Sequence, residues 1–299
     1  LSIGAKLAPP RPTRAFGEAR ARFDVLSARD GPEISAAGRS RFYEHGHRTA
    51  RAVVLLHGLT NAPEQWARFA AELHRDGDTV VVPRFPGHGY TDRTTHAIAR
   101  VGADEMLATA ADALDIACGA GENVILAGLS IGGAISAWLS LVRSDVPQSL
   151  AISPFIGIAN CNGLVNRVVT ATLAALPNLF VPWDPGGDGS QIPPYGYAKF
   201  PTRLLAACLD IGLDALRRSS SQAPRGRLDF ILNGHEPACN NDLPRALAAR
   251  VTARRPDSAT LLEWYDLPAV HDIIDPTNPH ARTGLVYPRL RALIDPNGP

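Results

Sequence analysis

Lysine is almost missing from this chain: only Lys6 and Lys199 occur among 299 residues. The remaining basic charge is arginine, and acids balance it to a net +1. No stretch gathers Lys and Arg with interleaved aromatics, which excludes the usual footprint of nucleic-acid binding. No apolar run approaches the roughly 20 residues that cross a bilayer as a helix. Cysteine is scarce as well. Cys118, Cys161, Cys208 and Cys239 form no C-x-x-C pair, and no Cys/His cluster has zinc spacing. Buried free thiols are the expectation, with one disulfide involving Cys161 and Cys208 as the alternative. Internal repeats and low-complexity tracts are absent. The chain begins at Leu1 rather than Met, as expected of a processed or trimmed product, and carries no signal-peptide pattern. Compartment and oligomeric state are left open.

What is present is ordinary globular composition, 45% hydrophobic and 20% charged. The length suits one large α/β domain. Residues 1–40 are rich in Pro, Arg and Ala with weak periodicity, and are expected to wrap the surface or form a short helix or strand. A short strand is expected over Arg41–His45. The run Ala52–Leu56 ends at His57-Gly58 and reads as a strand buried on both faces. "APEQWARFAAELHRDG" then spaces Trp66, Phe69, Ala70 and Leu73 as a helix does. The alternation continues with "DTVVVP", a helix over 101–121, "NVILAG", a helix from Ile131 to Arg143, and "SLAISPF". After "RLDFILNG" come the helix "DLPRALAARVTARR" and the strand "ATLLEWYDL". Strands alternating with helices predict a mostly parallel central sheet flanked by helices. Residues 155–202 break the pattern. They join a helical patch, Leu164–Leu176, to a Pro/Gly/aromatic loop holding Trp183, Tyr195, Tyr197 and Phe200, and read as an inserted cap or binding loop. The expected organisation is one domain, with a core of 41–154 and 203–299.

"LAGLSIGGAISAW" sets a serine between glycines where an apolar strand meets a helix. A strained strand-to-helix turn holds such a serine exposed, and side chains larger than Gly128, Gly132 and Gly133 would collide with neighbouring backbone. Neither phosphate-binding pattern, G-x-x-x-x-G-K-[ST] nor G-x-G-x-x-G, is present. Ser130 is therefore read as a nucleophile, which needs a base oriented by a carboxylate. In the order Ser, acid, His, only His235, His271 and His280 follow Ser130. His271, in the loop after the last strand, faces the serine's edge of the sheet. His235 lies too close to the candidate acid, and His280 precedes another helix.

These segments resemble the α/β-hydrolase superfamily, nearest its bacterial carboxylesterase and monoacylglycerol-lipase-like branch, also called serine-aminopeptidase-like or lysophospholipase-like. "LLHGLTNAPEQW", "VPRFPGHG", "LAGLSIGG", "ILNGHEPACNN" and "VHDII" carry the resemblance, from Val53 to Asp275. It implies the α/β-hydrolase fold with an inserted cap. It also implies ester hydrolysis through an acyl-enzyme, a small-molecule ester as partner, and no metal or organic cofactor. It assigns the backbone N–H of Leu59 and of Ile131 to an oxyanion hole. His57 and His88 are expected to brace loops, and His45 and His47 to lie at the surface. Glu236 stands where the family usually has Asp, and Asp242 is the alternative acid, though it is better suited to capping the next helix. Asp229 and Asp272 are expected to be structural or surface groups. Phe155, Phe180 and Trp183 are expected in the substrate pocket. An acyltransferase or peptidase would use the same triad. A peptidase would want an acidic group for an amine, for which the cap offers only Asp184 and Asp188. A non-catalytic ligand-binding protein is the third alternative, disfavoured because Ser130 and His271 are both present.

Overall fold

The computed structural model describes residues 7–184 and 186–296, so the first six residues of the N-terminal segment fall outside it. That segment is more regular than its weak periodicity predicted. Helix α1 (Phe16–Ser27) buries Ala19, Phe23 and Leu26. Thr13 Oγ1 accepts from the Gly119 N–H at 3.0 Å, and Arg22 reaches Asp112 and Asp115 at 3.0 and 2.9 Å. Its partners thus lie about a hundred residues away, out of reach of local pattern.

The chain continues through β1 (Arg41–Tyr43), β2 (Thr49–Leu56), α2 (Ala67–Arg75), β3 (Thr79–Val82), α3 (Ala103–Ala120), β4 (Gly121–Leu129), α4 (Ile131–Val142) and β5 (Gln148–Ile152). Next come α5 (Gly163–Ala175), β6 (Phe180–Pro182), β7 (Lys199–Pro201) and α6 (Thr202–Arg218). The chain closes with β8 (Arg227–Asn233), α7 (Asp242–Arg254), β9 (Ala259–Trp264) and α8 (Thr283–Ile294). Seven strands form the central sheet in the order β1-β3-β2-β4-β5-β8-β9. Only β1 runs antiparallel. The strands β6 and β7 pair outside it.

Side chains alternate across a strand, so an unbroken apolar strand feeds two cores. In β2, Ala52, Val54 and Leu56 join the core shared with α3, α4 and α6, while Val53 and Leu55 join the one shared with α2 and α8. In β4, Val124 and Leu126 face the first core, and Ile125, Ala127 and Leu129 the second. Both strands end at the same sheet edge, so the loops after Leu56 and Leu129 emerge side by side. Helix α6 packs on α4, where the Trp138 indole donates to Asp214 at 2.8 Å. All four cysteines are free, so Cys161 and Cys208 are not bridged. Cys208 and Cys239 are buried, whereas Cys118 and Cys161 are only half-buried. Among the described residues, no helix is long and apolar enough to cross a membrane.

Candidate active site

Ser130 ends β4 and starts α4 with φ 59° and ψ −117°, a conformation costly for any residue with a Cβ. The surrounding glycines make it attainable. A Cβ on Gly132 would lie 2.3 Å from the Leu56 carbonyl oxygen, and one on Gly128 would lie 2.2 Å from Gly132 backbone. The rival Ser153 also has positive φ, at 38°, but is sealed in, 1% exposed with an unpartnered hydroxyl.

His271 lies in the loop after β9. Its Nδ1–H donates to Glu236 Oε1 at 2.8 Å, and the Glu236 side chain is fully buried. The same oxygen accepts from the backbone N–H of Ala238 and Cys239 at 2.9 and 3.3 Å. Burial pushes the Glu236 carboxyl up, but His271 and these two donors outweigh it and hold the group below the usual glutamate range. Burial likewise opposes charge on His271. Cys239 and Glu236 beside it prevail and raise the imidazole well above its ordinary value. Ser130 and His271 line one cavity. The Ser130 hydroxyl has no hydrogen bond to the ring in this conformation, as is common before substrate arrives.

The turn after β2 carries the candidate oxyanion donor. Asn61 N donates to Gly58 O at 3.2 Å, and Thr60 takes φ 66°, the left-handed third position of a type II turn. Neither the Leu59 nor the Ile131 N–H has a hydrogen-bond partner among the described residues. Buried His57 braces this turn: Nδ1 bonds Gly58 O at 2.9 Å, and Nε2 accepts from Phe85 N at 3.1 Å. Burial and the neighbouring His88 depress its pKa far below the ordinary value. His88, lowered to about 4 by burial, bonds Pro86 O. His45 and His47 are exposed in the β1–β2 turn.

Trp183 lines the cavity, with its ring centroid 5.9 Å from that of His271. Phe180 does not line it; its ring lies against His96, at 4.8 Å between centroids. Phe155 is also absent from the lining, although its N–H donates to Ser130 O at 2.9 Å. The cavity measures only about 30 Å³, and Trp183, Gln191, Ile192 and Pro193 line it from the 155–202 segment. A cleft of about 580 Å³ between α5 and α6 is larger but holds none of these groups.

Asp242 is not a helix cap. Its carboxylate is 83% exposed and pairs with Arg245 at 2.8 Å. The amide oxygen of Asn240 instead accepts from the N–H groups of Asp242 and Leu243, at 2.7 and 2.9 Å. Being two residues upstream, Asn240 lies outside the helix and can fold back on it; Asp242 is already helical.

Two residues read from the sequence only as a structural or surface acid and a free thiol lie beside these groups. Asp272 is buried and lines the cavity. It accepts from Gln65 Nε2 at 2.6 Å, while Gln65 Oε1 accepts from Gly58 N at 2.8 Å. Burial and neighbouring Asp275 push its pKa up to about 6. Its position directly after the candidate base was the one available signal. The other is Cys239, whose Sγ lies 3.8 and 4.0 Å from the two ring nitrogens of His271.

A strained serine at a strand–helix turn, a carboxylate-held histidine and a mostly parallel sheet define an α/β-hydrolase fold. The alpha/beta hydrolase family model matches residues 53–295, and the chain belongs to that family. No curated protein matches the chain. Among solved structures it resembles a metagenome-derived lipolytic enzyme of the LipS and LipT pair, at 18% identity and TM-score 0.69, covering 88% of this chain and all of that one. It also resembles the monoacylglycerol lipase of Paleococcus ferrophilus, at 15% and 0.65, covering 85% and 97% of the two chains. A soluble variant of Saccharomyces cerevisiae monoglyceride lipase aligns at 11% and 0.64, over 87% and 92%.

Proposed function

We propose that this protein is a serine hydrolase cleaving carboxylic esters through an acyl-enzyme. One observation carries the reading: a serine strained to φ 59° shares a cavity with a histidine whose Nδ1–H is held by a buried carboxylate. Ser130 Oγ attacks the ester carbonyl and passes its proton to His271 Nε2. Glu236 keeps the Nδ1 proton in place and stabilises the imidazolium. The oxyanion takes the Leu59 and Ile131 N–H groups, whose freedom from other partners supports this role. His271 then protonates the leaving alcohol, and water releases the acid by the reverse sequence.

Residues 155–202 act as a cap over the acyl site in this reading. Ligand sites usually measure several hundred Å³, so Trp183, Gln191, Ile192 and Pro193 must shift to admit an acyl chain. An apolar or aromatic acyl group fits Trp183 and Ile192. A peptidase is disfavoured because both Asp272 oxygens already accept hydrogen bonds and offer no free site for an amine. The test is hydrolysis of p-nitrophenyl esters from acetate to palmitate beside an amide analogue, with fluorophosphonate labelling. Ser130→Ala should abolish both labelling and turnover, a loss on the order of 10⁶ in kcat. Labelling that persists at another serine, Ser153 foremost, would sink the assignment.

A further inference from the structure

The loop between β6 and β7 is the part of the cap that meets Ser130 and His271, through Trp183, Gln191, Ile192 and Pro193. Its hydrogen bonds are almost all local. Gly187 N and Gly189 N donate to Asp184, Ser190 N to Asp188, Ile192 N to Gly189 O and Gly196 N to Pro193 O. Among the described residues, only one hydrogen bond ties 186–195 to a distant part of the chain. The Tyr195 hydroxyl donates to Asp275 Oδ2, 80 positions away. Asp275 belongs to the loop that carries His271, and its N–H donates to Asp272 Oδ1 at 3.0 Å. We propose that Tyr195 and Asp275 form the latch of a gate over the candidate active site, and that residues 186–195 swing away when it parts.

The composition of "GGDGSQIPPY" suits that motion. Gly186 and Gly189 take φ 88° and 74°, left-handed values that glycine adopts without strain, so this limb bends easily. Pro193 and Pro194 have fixed φ and carry Tyr195 on a stiff arm. The chain beyond Tyr195 is fastened separately. Gly196 O accepts from Arg93 Nε at 2.8 Å, and the Tyr197 hydroxyl lies between Gly87 O and Tyr90 N, at 3.0 and 3.1 Å.

The latch is a bond that the closed loop needs and the open loop can replace. Asp275 is buried, and its Oδ1 is taken by the N–H and hydroxyl of Thr277, both at 2.8 Å. Burial and Asp275 push the Tyr195 phenol well above its ordinary pKa, so it keeps the proton it donates. With the loop open, water solvates Oδ2 instead. In Tyr195→Phe that oxygen loses its donor only in the closed form, which shifts the closed-to-open ratio by roughly 10–100-fold toward open. The consequence for catalysis rests on the hydrolase reading, but the gate does not.

Two measurements on the full chain test it. By hydrogen exchange and mass spectrometry, the peptide spanning 186–197 should exchange about tenfold faster or more in Tyr195→Phe, with β4 and α4 unchanged. On p-nitrophenyl butyrate, KM should fall by up to about tenfold as the competent fraction grows, with kcat within about threefold of the parent. Asp275→Asn weakens the same bond from its other side and should move both readouts in the same direction; it serves if Tyr195→Phe fails to fold. Unchanged exchange over 186–197, or exchange that rises throughout the chain, overturns the latch. A fall in kcat at constant KM would make Tyr195 a positioning residue for the His271 loop and overturn the gate. Faster exchange confined to 186–197 in a chain that hydrolyses no ester would uphold the gate and refute the hydrolase reading.

Discussion

Replacing Glu236 with Gln removes one negative charge and little else. The amide oxygen can still accept from Ala238 and Cys239, whose N–H groups hold Oε1 at 2.9 and 3.3 Å, so the loop after β8 should keep its shape. The imidazolium that forms during attack loses its counter-charge. With Nδ1 and Oε1 2.8 Å apart, the charge centres are about 4 Å apart, and an effective dielectric of about 20 makes their attraction about 4 kcal/mol. That corresponds to roughly 10³ in rate, the lower end of the 10³–10⁴ seen when a triad carboxylate becomes an amide. The assay is kcat on p-nitrophenyl butyrate, with circular dichroism to verify folding. Asp242→Asn is the control, because that carboxylate is 83% exposed and bound only to arginine. Glu236→Gln within about tenfold of the parent, or an inactive Asp242→Asn, would refute the assignment of the acid.

Other outcomes can be checked alongside. Trp183→Ala should change acyl-chain preference, whereas Phe180→Ala, whose ring lies on His96 away from the cavity, should leave the profile unchanged; the reverse pattern would place the acyl site elsewhere. As the proposed base, His271 must be neutral, and its pKa is raised, so kcat/KM should climb with pH along a limb centred above 6.5. Glu236→Gln should move that limb to lower pH, and an unmoved limb would assign it to another group. In Asp272→Asn, the amide that replaces the carboxylate opposes the Gln65 amide, so Gln65 must turn and release Gly58 N–H. A fall in kcat approaching the roughly 10²–10³ of a lost oxyanion donor, with KM little changed, is expected; kcat within about twofold of the parent would remove Asp272 from the positioning of the turn.

How much of this could be read beforehand depended on distance along the chain. The sheet was legible because β2, β4, β5 and β8 are buried on both faces and read as apolar runs. Ser130 was legible because its glycines are neighbours in sequence, and the steric reason for each is local. Glu236 and His271 stand 35 residues apart; fold order placed His271 at that edge, and resemblance to the hydrolase family placed Glu236 beside it. Contacts decided by three-dimensional approach were opaque. Gln65 and Asp272 are 207 positions apart, and no periodicity links them. Cys239 lies 32 residues before His271, a spacing that resembles no metal motif. The direction of Phe180 depended on His96, from a distant loop. Asn240 displaced Asp242 as cap because capping depends on which side chain folds back, and several candidates stood together in "ACNNDL".

The candidate base and the candidate oxyanion turn are held by one network rather than two. His271 and Asp272 are adjacent, so their side chains diverge: the imidazole meets Glu236, and the carboxylate meets Gln65 and Asn61. Gln65 passes that hold to Gly58 N, and Tyr197 N binds Thr60 O at 2.9 Å from the segment before β7. Thr60, a β-branched residue at φ 66°, would not stay there on its own preference. The turn is fastened from both sides, and its Leu59 lines the cavity with an unpartnered N–H. Displacing the His271 loop would therefore disturb the oxyanion turn as well. Conversely, opening the segment that carries Gln191, Ile192, Pro193 and Tyr197 would release one of the two holds on Thr60. In the proposed mechanism, that backbone hydrogen bond would link movement of the 191–197 segment to the candidate oxyanion turn.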